Sequence, residues 1–218
     1  MKIIILILLL VLAVYIYRKY QADVQYRIQA RRQVFDDCSD LLQNPVHSAD
    51  VAGLPVVHGS YDGYQVALSI VEDTLGWRKL PPLWMLVKVS ANKPSQGTFD
   101  MIVRPANNEF YSPSWQWDGN LAIPANWPQH AIIKYQQQPL DLALVSDYVP
   151  QLFSDSNMKE LLVTPKLLRL SYMVKQGERG EYLIMRNAVY QSTPVARALV
   201  ASLLQQAVAM RKNIEAHQ

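Results

Sequence analysis

The sequence predicts an α+β protein: an N-terminal transmembrane helix and helical neck, then an antiparallel sheet of hairpins covered by helices, closed by a long C-terminal helix. Three observations predict it. Residues 3–17 are fifteen consecutive apolar or aromatic residues without a charge. Two β-rich runs, 54–60 and 64–72, flank Asp62-Gly63, a dipeptide that favours a tight hairpin turn. Beyond them the patterns run strands, helices, strands, helix, which suits one antiparallel sheet better than alternating parallel units.

The apolar run comes first. As a helix it spans roughly 22 Å, short of the ~30 Å hydrocarbon core. Lys2 and Arg18 snorkelling outward, and Tyr15, Tyr17 and Tyr20 seated at the interface, close most of that gap. A cleaved signal peptide needs small residues after the run, and Tyr15, Ile16, Tyr17, Arg18 and Lys19 stand there instead. The expectation is an uncleaved anchor over residues 1–20. Arg18, Lys19, Arg27, Arg31 and Arg32 follow the run against Lys2 alone before it. The positive-inside rule then places the domain in the cytoplasm, on a single pass through the cell inner membrane. Arg18, Lys19 and Arg27 are the residues expected to meet anionic lipid headgroups.

Residues 21–44 form the neck. No Gly or Pro interrupts 18–43, and Val24, Ile28, Phe35, Cys38 and Leu42 mark one apolar stripe, broken by Arg31. The stripe suits a helix packed on its own domain. A weak homodimer through a short coiled coil is the alternative. Asn44-Pro45 is expected to end the helix.

Residues 45–218 are expected to form a single domain. Tyr64, Val66, Leu68 and Ile70 alternate with Gln65, Ala67 and Ser69, which turns one face of that strand inward. Segments 83–89, 99–103 and 130–135 also look like strands. Residues 140–153 look helical, and Asn157 with Glu160 resembles a capping box opening a helix to residue 163. Runs 167–175 and 182–187 suggest a second hairpin around Gly177 and Gly180. Thr193 as cap and Pro194 at the first turn open the closing helix, with Val195, Leu199, Leu203, Ala207, Met210 and Ile214 on one stripe.

The hairpin also carries a resemblance. Gly59, Tyr61, Gly63, Val66 and Leu68 give the pattern G-x-Y-x-G-x-x-V-x-L, which resembles a motif of uncharacterised bacterial membrane-anchored proteins. Leu161, Leu162, Pro165, Leu167 and Leu168 form a second similar stretch. The resemblance implies membrane association and supplies no catalytic residues.

Composition narrows the function. The chain is 50% hydrophobic and 18% charged with a net charge of +3, which excludes a disordered chain. One cysteine in 218 residues excludes an internal disulfide framework and a Cys-rich zinc site. Most of the basic excess lies in residues 18–32, with five basic residues and one acidic; residues 45–218 carry fifteen and fourteen. Nucleic-acid binding needs a broad basic face, so it is not expected. His47, His58, His130 and His217 show no metal-ligand spacing, and no phosphate loop, dinucleotide fingerprint or nucleophile elbow is present. No cofactor is therefore expected. His58, Ser60 and Asp62 lie close in sequence, which fits a turn better than a triad.

Residues 110–128 are the most unusual segment, with Phe110, Tyr111, Trp115, Trp117 and Trp127 among three prolines. They are the candidate binding residues. The competing expectation is a lid whose rings pack on the sheet. These features point to a non-enzymatic interaction or scaffold module with a protein partner at the membrane. An envelope-facing ligand-binding module using the aromatic loop, and an enzyme with an unrecognised site, are the alternatives.

Overall fold

The computed structural model describes residues 2–75, 80–106, 109–179 and 188–217. The apolar run becomes the first half of α1 (Lys2–Arg32). Every large apolar side chain from Ile3 to Tyr17 is at least half exposed there. Among the described residues α1 is the one helix long and apolar enough to cross a membrane.

The neck is shorter as a helix than expected. α1 stops at Arg32, and two single 3-10 turns, Gln33–Phe35 and Ser39–Leu41, step the chain sideways onto the domain. The Ser39 hydroxyl donates to the Phe35 carbonyl at 3.1 Å, which helps hold the break. The step carries Val34, Phe35, Cys38 and Leu42 into the core. Most of the neck's stripe is thereby used within the chain, leaving Val24 and Ile28 half-buried on the helix itself.

Nine strands make one sheet among the described residues: β1 (Gln43–Ala49), β2 (Pro55–Tyr61), β3 (Tyr64–Glu72), β4 (Pro82–Ser90), β5 (Phe99–Val103), β6 (Gly119–Asn120), β7 (Ala131–Tyr135), β8 (Met158–Val163) and β9 (Leu167–Gln176). Their order is β1-β2-β3-β4-β9-β8-β5-β7-β6, with every neighbouring pair antiparallel. Asp62 and Gly63, at φ of 49° and 83°, form the two-residue turn that sets the β2–β3 register. Because side chains alternate, one row across seven strands is wholly apolar: Val57, Leu68, Val87, Leu170, Leu161, Met101 and Ile133. None of these is more than 2% exposed. Over this face lies α3 (Arg197–Ala216), which buries Val200, Leu203, Leu204, Ala207, Met210 and Ile214. The architecture is α+β, as the sequence predicts.

Four elements differ from expectation. Residues 140–153 are a 3-10 turn, Leu142–Leu144, and a single helical turn, α2 (Val149–Leu152), instead of one helix. Asp141 caps the first by accepting from the Ala143 N–H at 2.9 Å, and Pro150 restarts the second. Residues 158–163 are strand β8, buried at all six positions, and Glu160 is no capping residue. A short continuous apolar run is ambiguous between helix and buried strand, and pairing with both β5 and β9 decides it. The closing helix starts at Arg197, three residues after Pro194, because the Val195 N–H donates to the Val34 carbonyl and holds that stretch extended. Asn44-Pro45 lies inside β1, at a bulge with Asn44 at φ 52°, so the chain turns into a strand there. The expected strand 182–187 lies outside the described residues.

Candidate functional site

The sheet's other face has the opposite chemistry. The row adjacent to the apolar one reads His58, Ala67, Lys88, Arg169, Leu162, Asp100 and Lys134 across the same seven strands. Of the charges placed there, Asp100 and Arg169 are buried by what covers them, and Lys88 and Lys134 are half-buried. Arg169 grips Glu160 in bidentate fashion, Nε to Oε2 at 3.1 Å and Nη2 to Oε1 at 2.8 Å. The Ser171 hydroxyl adds a hydrogen bond to Glu160 Oε2 at 2.5 Å. Lys88 stands beside Arg169 in register, and burial followed by the Arg169 charge lowers its proton affinity.

The cover is the aromatic loop. Ser112 Oγ and Asp100 Oδ2 share a hydrogen bond of 2.5 Å, and the Lys134 ammonium donates to the Trp117 carbonyl at 3.2 Å. Ser112 also caps the 3-10 turn Pro113–Gln116 by accepting from the Ser114 N–H. That turn breaks the extended alternation expected of Trp115 and Trp117. Trp117 points into the protein and is 5% exposed, while Trp115 is 41% exposed. The Trp115 indole donates to the Glu109 carbonyl at 3.1 Å. Trp127 is buried edge-on against Phe99, with centroids 6.0 Å apart. Tyr111 is partly buried between Phe110 and Trp84, and Phe110 is exposed. Of the five aromatic candidates, two pack as a lid and two face solvent.

Beside this loop, where β4 and β8 begin and β5 and β9 end, lies an open cleft of about 420 Å³. Trp84, Pro82, Leu80 and Met173 give it apolar walls; Asp73, Glu109, Arg104 and Lys159 give it charge. Glu109 and Lys159 pair at 2.7 Å, both buried. Lys159 also donates to the carbonyls of Val103 at 3.0 Å and Arg104 at 2.7 Å, so its three donors are filled. Burial alone would push the Glu109 carboxyl up, but the Lys159 ammonium and the Ala106 N–H together hold it below its usual range. Arg104, at φ 48°, donates through Nη2 to Ser156 and Met158 carbonyls at 2.6 and 3.0 Å.

The remaining sequence candidates stay apart. Arg18 and Lys19 are exposed on α1, and Arg27 lies on the same helix. Asp62 pairs with Lys212 at 2.6 Å, and His58 is exposed on β2. Among the described residues no group of three metal-ligating side chains comes together. Sequence reasoning missed Asp100, Glu160 and Arg169. For two of them the signal was present: Asp100 and Arg169 are charges on strands whose flanking residues are apolar, Phe99-Asp100-Met101 and Leu168-Arg169-Leu170, whereas Glu160 follows Lys159 and carries no such mark.

Fold and site together define a single-sheet α+β domain carried on a long apolar helix. No family model matches the chain, and no curated protein matches it. Among solved structures, the mycobacterial trehalose monomycolate transport factor A, TtfA, superposes with a TM-score of 0.44 at 8% identity, over 85% of this chain and 91% of that one.

Proposed function

We propose that this chain is a single-pass, membrane-anchored, non-enzymatic interaction module of the bacterial inner membrane, its domain facing the cytoplasm. One observation carries the reading. β1 is exposed at all seven residues, bears no charge and forms an outer edge of the sheet. Pro45 and the bulge at Asn44 guard its first residues, but residues 46–49 pair regularly with β2 and carry no charge, and an uncharged edge of that kind is a template for a partner strand. It follows directly on the neck, whose buried Phe35 and Cys38 fasten it to the anchor. The basic residues after the apolar run support the cytoplasmic orientation.

Two experiments test this. A photo-crosslinking side chain at Val46 on β1 should yield a protein adduct in membranes, and the same group at Gln205 on α3 should not. Equal adducts, or none from Val46, sink the reading. For topology, Cys38 is no use as a probe: it is fully buried and donates to the Val195 carbonyl. Burial, then Asp37 and Asp40, pushes its thiol up to about 11. Val51 stands fully exposed in the β1–β2 loop. In Val51→Cys, an impermeant maleimide should react only after cells are permeabilised. Reaction in intact cells would select the second reading, an envelope-facing ligand-binding module, for which the exposed Phe110 and Trp115 speak.

A further inference from the structure

Four interior strands converge on the cleft beside Glu109 and Lys159, and its lining has a definite chemistry. We propose that this cleft is a binding site for a neutral saccharide. Its volume of about 420 Å³ lies within the range of small-molecule sites. Its charges cancel, Asp73 and Glu109 against Arg104 and Lys159, so an ionic ligand meets little net field. The Glu109–Lys159 pair is spent on itself and on backbone carbonyls.

The groups that remain are neutral hydrogen-bonding side chains and an aromatic wall. Gln176, Ser156 and Asn157 line the rim, and the Trp84 ring lines the interior with Met173, Leu80 and Pro82. Trp84 lines the cleft, and its Nε1 is buried and finds no acceptor in the protein; the same holds for the hydroxyl of Tyr111, the ring packed behind it. Their rings are in contact, with centroids 6.2 Å apart. Buried donors of this kind are normally satisfied. A sugar offers what they lack: oxygen acceptors around a ring whose C–H faces pack on an aromatic plane.

An extended peptide fits less well. Peptides docked on sheets draw on main-chain pairing, and β4, β9, β8 and β5 are each already paired on both sides. Recognition here falls to side chains. The site uses no residue of β1 and is independent of the interaction reading and of membrane orientation.

The test uses the full chain in phospholipid nanodiscs, since glycosidic detergents would compete. Glucose, N-acetylglucosamine, maltose and cellobiose are titrated, reading tryptophan fluorescence and saturation-transfer NMR. At least one should saturate. Trp84→Phe keeps the ring and removes the N–H, and should weaken that sugar about tenfold, the loss of one hydrogen bond. Gln176→Ala, a surface change, should weaken it several-fold without altering the circular dichroism. Saturation by none of the four overturns the proposal. So does binding that both variants leave unchanged, and so does tight binding of a neutral tripeptide in place of every sugar.

Discussion

Asp100 Oδ2 lies 2.5 Å from Ser112 Oγ, so a single hydrogen bond ties an interior strand to the aromatic loop above it. Asp100 is fully buried, and its other oxygen, Oδ1, has no partner in the protein. Burial first, then the nearby Glu160, raises its proton affinity well above the ordinary carboxylate range; the Ser112 hydrogen bond and the Arg169 charge oppose this, and Glu109 adds to it. The geometry is that of a buried carboxyl group that holds a loop, in surroundings that favour its protonated form.

This has a pH consequence. A folded-state pKa above the unfolded value gives stability that is complete below about pH 4 and is lost as pH rises through the folded value. Asp100 therefore costs stability from acid towards neutral pH, opposing Glu109 and Glu215, whose lowered pKa values favour the fold as pH rises. Asp100→Asn, neutral throughout, should gain stability relative to the wild type as pH rises in urea titrations at several pH values. A constant difference between the two would show that Asp100 does not titrate with folding.

The Arg169–Glu160 pair makes a sharper demand. Arg169→Met leaves a fully buried carboxylate unpaired and should cost about 3–5 kcal/mol in chemical denaturation. Adding Glu160→Gln should restore much of that loss, because the uncompensated charge, more than the missing contact, carries the cost. A double variant as unstable as the single one would refute this account.

The two neighbouring tryptophans should separate cleanly. Trp117→Ala empties a buried site and should cost about 3–5 kcal/mol. Trp115→Ala removes a ring that is 41% exposed and should stay within about 1 kcal/mol. Thermal or urea unfolding of the two variants checks this, and similar losses would mean that the loop is not anchored as described.

Phe35 tests the join between anchor and domain. It is 1% exposed within the main core, so Phe35→Ala should cost about 3–5 kcal/mol in urea unfolding of the domain. A change below about 1 kcal/mol would mean that the neck is dispensable to the fold.

Much of the sheet was legible in local pattern. The alternation of 64–72, the Asp62-Gly63 turn and the 83–89 and 99–103 runs need only period and turn chemistry; each run became a strand and the dipeptide became the turn between β2 and β3. Residues 158–163 failed because Asn157 and Glu160 imitate a cap spacing, while the deciding facts are partners on two other strands. The site failed for a related reason. Asp100 meets Ser112 through a turn that reverses the alternation, and Glu160 meets Arg169 only once β8 and β9 fall into register. Alternation tells which residues share a face; which charges become neighbours is settled by pairing across the sheet.

The break at Arg32 has a mechanical meaning. A helix followed at once by two tight turns that are packed into the core, and braced by the Arg31–Glu72 ion pair, leaves little slack between bilayer and domain. With the apolar run in a membrane, the stretch from Arg18 to Arg32 is a mast of roughly 20 Å. It sets the height at which the β1 edge travels and limits how far that edge can swing. Such a domain searches a plane rather than a volume, and a partner would have to present its strand at that same level above the lipid.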